Sequence, residues 1–148
     1  MQAPQVGPRV GDAAPPLAGV SMEGHHLSLT AWRGSVVVVV FWASWCTPCQ
    51  AEQPAVDTLA VEETQSGVHF VGVSVDTDQA AAQSYATRYS VPYDSLIDAS
   101  QSLVVGFEVA GPPTTFVIGK AGQVAAQLIG EVDIDTLRAR IDAARSQA

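Results

Sequence analysis

Val36-Val37-Val38-Val39-Val40-Phe41-Trp42 is an unbroken β-branched and aromatic run. A half-solvated strand would alternate, so this pattern predicts a strand buried on both faces of a parallel sheet. Cys46-Thr47-Pro48-Cys49 follows closely behind Trp45 and holds both cysteines of the chain. A helix is predicted from about Thr47 to Glu63. Pro54 inside it removes a backbone hydrogen bond, which predicts a kink near residue 50. A strand thus delivers two thiols to the start of a helix. A disulfide closing so short a loop restricts the unfolded chain little. Its use lies in being made and broken.

The remaining chain places that junction in a layered fold. Residues 1–16 carry four prolines and read as a flexible arm, leaving residues 17–148 as one domain. Leu17–Val20 and His25–Leu29 flank Met22-Glu23-Gly24 as a hairpin, and Ser28–Arg33 suggests one helical turn ended by Gly34. Val68–Val75 is the next strand. Asp76-Thr77-Asp78-Gln79 resembles an N-cap with a capping-box partner, opening a helix to about Tyr89. Ser95–Ile97 reads as a short strand and Gln101–Phe107 as a short helix. Thr114–Ile118 and Gln123–Ile129 form a second hairpin, and a helix over about Ile134–Arg145 closes the chain. Its apolar face is Ile134, Leu137, Ile141 and Ala144. Alternating strands and helices predict an α/β fold, a central mixed sheet with helices on both faces. In such sheets reaction sites lie beyond the carboxyl ends of the strands, where Cys46 falls.

Composition excludes several functions. The 148 residues carry a formal net charge of -8. Such acidity argues against nucleic acid or an anionic membrane as partner. No stretch approaches the roughly 20 apolar residues of a membrane span. Met1-Gln2-Ala3-Pro4 lacks the basic and apolar regions of an export signal, so the start reads as cytosolic or as what remains after removal of such a segment. A reversible cysteine pair works in either compartment.

The thiol chemistry is asymmetric. A helix N-terminus offers partial positive charge and free N–H groups, which favour a thiolate at Cys46. Cys49 lies one turn inside. The expectation is therefore an exposed Cys46 that attacks a substrate disulfide and an inner Cys49 that resolves the mixed disulfide. Trp42 and Trp45 are expected to wall the site. Glu52, three residues beyond Cys49, borders the inward face formed by Cys49, Val56, Leu59 and Ala60. A carboxylate there can accept the Cys49 proton if burial lifts its pKa. Gly111-Pro112-Pro113 before the strand at Thr114 admits either a cis bond or a trans Pro-Pro turn.

These residues resemble the thioredoxin superfamily, and more narrowly its TlpA/ResA/CcmG branch of thiol-disulfide oxidoreductases. The likeness runs through Gly11-Asp12-Ala13-Ala14-Pro15-Pro16-Leu17, Phe41–Cys46, Cys49-Gln50-Ala51-Glu52-Gln53-Pro54 and Pro113–Ile118, and covers residues 11–145. The extra βα segment between Val75 and Pro113 also fits. The resemblance implies a thioredoxin-like fold, a cis Pro113 facing Cys46, and Glu52 as the acidic residue near the cysteines. Trp45, Thr47, Pro48, Pro112 and Pro113 would border the bound peptide. Where thioredoxin carries a buried aspartate this chain has Val40. Pro112 also departs, because it has no N–H to offer a bound peptide.

The implied function is an extracytoplasmic oxidoreductase acting on protein cysteines without a cofactor, its redox group being the Cys46–Cys49 pair. Reduction of apocytochrome c is the task the resemblance suggests, with a membrane thiol-disulfide protein exchanging electrons and the enzyme a monomer. General oxidation of secreted proteins is the alternative, and the direction of electron flow stays open. A peroxidase is weighed on the Ala14-Pro15 motif, but those enzymes have a threonine where this chain has Ala43. A copper or zinc carrier would need a histidine beside the thiolates. His25-His26 instead reads as a solvated pair in the hairpin turn, and His69 as the start of a strand.

Overall fold

The computed structural model describes residues 4–147. β1 (Ala18–Val20) and β2 (His26–Ser28) form the expected antiparallel hairpin, followed by a 3-10 turn at Thr30–Trp32. β3 (Val37–Trp42) leads into α1 (Thr47–Thr64), and β4 (His69–Ser74) into α2 (Gln79–Arg88). β5 (Ser95–Ile97), α3 (Ser102–Gly106), the hairpin of β6 (Thr114–Ile118) and β7 (Val124–Ile129), and α4 (Ile134–Arg145) complete the chain. α1 continues through Pro54 as one helix.

The five-stranded sheet has the order β5-β4-β3-β6-β7. β4 and β5 add to β3 in parallel, whereas β6 and β7 add antiparallel. β3 is therefore central, and the side-chain period of two splits it between two cores. Val38 and Val40 pack with Val56 and Leu59 of α1 and with Leu137 and Ile141 of α4. Val37, Val39 and Phe41 pack on the opposite face with Leu17, Phe107 and Phe116. This two-sided burial is why the strand reads as a continuous apolar run. α4 is capped by Asp133, whose carboxylate accepts from the Thr136 N–H, and Arg145 near its end pairs with Glu63 of α1 at 3.0 Å.

Two expectations need correction. The proline-rich arm at residues 1–16 is not free over its described part; residues 1–3, like Ala148, lie outside the described residues. Ala14 N–H donates to the Gly122 carbonyl at 2.9 Å, and the Val124 N–H donates to the Asp12 carbonyl at 2.8 Å. The arm thereby covers the start of the β7 edge, whose backbone groups would otherwise lack partners. It also roofs a cavity of about 240 Å³ between Val6, Pro15, Trp32 and Val37. The second correction concerns the capping box. Asp78 alone caps α2, accepting from the Ala80 N–H at 3.0 Å, while Asp76 is turned toward another part of the chain.

Gly72 of β4 lies opposite Val40 and beside Ser95. A Cβ there would stand 2.7 Å from the Trp42 indole nitrogen and meet the Ser95 hydroxyl as well. Trp42 donates to that hydroxyl at 3.2 Å, so all three groups depend on a residue without a side chain. Gly72→Ala should lower unfolding stability by about 1–3 kcal/mol through overpacking. Denaturant titration checks this, and a loss below about 0.5 kcal/mol would contradict the packing described.

Candidate active site

Chain connectivity places the cysteines at the carboxyl end of β3. After Trp42 the chain makes a turn, with the Cys46 N–H donating to the Ala43 carbonyl at 3.2 Å. Cys46 then adopts the extended N-cap conformation of α1, and its sulfur accepts from the Cys49 N–H at 3.2 Å. Pro48 sits in the first turn, where its missing N–H costs nothing. Cys46 and Cys49 are joined as a disulfide. The N–H aimed at the Cys46 sulfur would stabilise the thiolate after reduction.

Burial differs from expectation. In the disulfide form Cys46 is 3% exposed and Cys49 1%, so neither residue is open. Both pack with Trp42, Ala43, Ala82 and Tyr85, because α2 lies across this end of the sheet. Tyr85 stacks on Trp42 with ring centres 4.6 Å apart. Trp42 thus walls the site as expected, whereas Trp45 does not: it projects outward, 66% exposed. Thr47 and Pro48 are also exposed. The accessible rim is Trp45, Thr47 and Pro48 rather than the first sulfur itself.

Glu52 is 5% exposed, and its Oε1 accepts from the Val132 N–H at 2.8 Å. Burial raises its pKa to about 7, the Val132 hydrogen bond opposes that rise, and nearby Glu131 adds to it. Glu52 is therefore half-protonated near neutrality, one helical turn from Cys49. A carboxyl group so poised can take or return a thiol proton. Val40 is 1% exposed in the apolar layer beside α1, leaving no acid at that position.

The Pro112–Pro113 bond is cis. Phe41 pairs with Thr114, so Pro113 stands at the same end of the sheet as the disulfide. The Pro113 carbonyl accepts from Gly130 N–H at 2.9 Å. Gly130 has φ +88°, a conformation that a side chain would strain, and Val132 two residues later holds Glu52. One short connection between β7 and α4 thereby fixes both the cis proline and the acid. Sequence reading missed it, since its working groups are backbone N–H and any residue type supplies those. Gln53 was missed too. It accepts from the Tyr85 hydroxyl at 2.9 Å and donates to Asp57 at 2.7 Å and to Tyr93 at 2.9 Å, lashing α2 to α1.

The histidines stand in other settings. His25 pairs with Asp94 at 2.5 Å, and His69 stacks on Trp32 with ring centres 4.8 Å apart. Among the described residues no cluster of three or more His, Cys, Asp or Glu side chains is arranged to hold a metal ion, and no helix is long and apolar enough to cross a membrane.

A thioredoxin-like sheet with a disulfide at a helix start and a cis proline alongside defines a thiol-disulfide oxidoreductase. The chain belongs to the AhpC/TSA family, whose model matches residues 10–127. The thiol-disulfide oxidoreductase ResA of Bacillus thuringiensis (strain Al Hakam) is 30% identical over 123 residues, 83% of this chain and 71% of that one. Among solved structures, one described as a thiol:disulfide interchange protein DsbE from Chlorobium tepidum superposes with a TM-score of 0.87 at 29% identity. The match covers 93% of this chain and 99% of that one. DsbF of Mycobacterium tuberculosis gives 0.79 at 29% identity, covering 86% and 93%.

The raised pKa of Glu52 has a consequence for stability. In the unfolded chain the carboxyl titrates near 4.5 and in the fold near 7, so the folded form holds its proton over that interval. Its favourable contribution is complete below about pH 4.5 and disappears as pH rises through about 7. Glu52→Gln keeps an oxygen for Val132 but cannot ionise. The variant should gain on the order of 2 kcal/mol relative to the parent between pH 4.5 and 7.5, read from denaturant midpoints. A difference that stays constant across that window would contradict the buried acid.

Proposed function

We propose that this chain is an extracytoplasmic reductase of protein disulfides, with apocytochrome c as the substrate class, and that Cys46 attacks while Cys49 resolves. The observation that carries the reading is the buried Glu52 one turn beyond Cys49, with a pKa of about 7. In the reduced enzyme the Cys46 thiolate attacks one sulfur of the substrate disulfide. A Cys46–substrate bond forms, the substrate S–S bond breaks, and the departing thiolate takes a proton from water. Cys49 then yields its proton to Glu52 and attacks the Cys46 sulfur. The Cys46–Cys49 disulfide closes, and the second substrate sulfur leaves as a thiolate that takes up the proton held by Glu52. Two electrons pass to the substrate, and a membrane thiol-disulfide protein is the proposed donor that restores the dithiol.

Trp45, Thr47, Pro48, Pro112 and Pro113 are the proposed peptide-contacting set. Pro112 withholds a backbone donor, so exposed Trp45 carries more of the contact. A peroxidase reading has less support, since Ala43 leaves no hydroxyl three residues before Cys46. Cys49→Ala should trap substrates on Cys46, because the resolving thiol is gone while the attacking one remains. Recovery of apocytochrome c from the trapped adducts supports the reductase. A broad set of secreted proteins would instead indicate general oxidative folding. Cys46→Ser should reduce disulfide-exchange activity to background, and activity at the parental rate would contradict the assigned order of attack.

A further inference from the structure

Asp76 is 2% exposed at the end of β4, yet it caps no helix. Its carboxylate accepts three hydrogen bonds. The Ser44 N–H donates to Oδ2 at 2.9 Å, the Ser44 hydroxyl to Oδ1 at 2.6 Å, and the Ser74 hydroxyl to Oδ2 at 2.8 Å. Ser44 lies in the turn that carries Cys46, and its carbonyl accepts from the Gln50 side chain of α1 at 3.0 Å. Val75 N–H donates to the Trp42 carbonyl at 2.8 Å, so β4 holds the chain just before that turn as well. A buried carboxylate with three donors is costly to misplace, because each lost partner leaves charge desolvated.

We propose that Asp76 is a positioning residue for the redox reaction: it clamps the Ala43–Cys46 turn so that the Cys46 sulfur stays at the N-terminus of α1. The assignment rests on Cys46 being the attacking thiol. When the disulfide opens, the covalent tie to Cys49 is lost, and the turn is then held by Asp76 and Gln50. The clamp keeps the sulfur under the Cys49 N–H, where a thiolate is favoured. Asp76 also contributes negative charge, which acts on a thiolate in the opposite sense. The other ionisable groups facing this end are Glu52 of α1, and Tyr85, Arg88 and Tyr89 at α2, the last three lining a shallow pocket with Ser44 and Gln50. Burial holds Tyr85 far above the ordinary phenol range, so it stays neutral while Cys46 titrates.

The test measures the pH profile of Cys46 alkylation in the full chain carrying Cys49→Ala, so that one thiol reports. Adding Asp76→Ala should move the midpoint up by about half a unit or more, with an alkylation rate at neutral pH at least about threefold lower. Ser44→Ala, which removes one of the three bonds and keeps the charge, should move it in the same direction by less. Asp76→Asn keeps an acceptor for Ser44 and should restore the parental midpoint or fall below it. Asp78→Ala, which uncaps α2 only, should leave it unchanged. An unchanged or lowered midpoint in both Asp76→Ala and Ser44→Ala overturns the clamp, and if Asp76→Ala does not fold, Ser44→Ala alone decides. Should Cys46 titrate as a free thiol even in the parent, the attacking role fails, and the clamp with it. A depressed parental midpoint shared by all variants fails the clamp alone.

Discussion

The hydrogen bond from the Val132 N–H to Glu52 is the contact on which the arrangement of this end of the protein depends. An acid 5% exposed needs a partner, and here the chain supplies one backbone donor from the far edge of the sheet. That requirement fixes where the connection from β7 to α4 must run. The same connection reaches the cis proline through Gly130, so the acid and the proline are both tied to one short segment. Burial outweighs that one hydrogen bond, so the pKa of the carboxyl is raised to about 7.

A second buried carboxylate is bonded differently. Asp76 is more deeply buried and meets three donors, which suits a group that holds geometry. The two acids flank the start of α1 from opposite sides of the sheet order, Asp76 beyond β4 and Glu52 against the β7 connection. Between them β3, buried on both faces, gives a fixed base for the turn that carries Cys46. α2 closes the remaining side through Tyr85, which stacks on Trp42 and bonds to Gln53.

Much of this was legible in the sequence wherever local pattern and tertiary placement agree. The valine run is continuous because both faces are covered, and α4 shows its apolar stripe because only one face is. The burial of Glu52 on the inward face of α1 was legible through its helical spacing from Cys49. Asp76 was misread because Asp-x-Asp before a helix looks like a cap at either position, and its true partner lies 32 residues away in sequence. The arm's attachment to β7 is likewise a long-range pairing with no local signature. Trp45 was expected against the sulfurs, but the chain leaves the strand after Trp42, so its alternation no longer governs which way Trp45 points. The connection at Val132 acts through its backbone and leaves no compositional trace.

The central claim is that a buried carboxyl at Glu52 exchanges a proton near neutrality. Carbon-13 NMR titration of the Glu52 carboxyl in the oxidised protein tests it most directly, with Glu52→Gln to assign the signal. The account predicts a midpoint of about 7. A midpoint at the ordinary glutamate value of roughly 4.3 would contradict it and remove the base from the site.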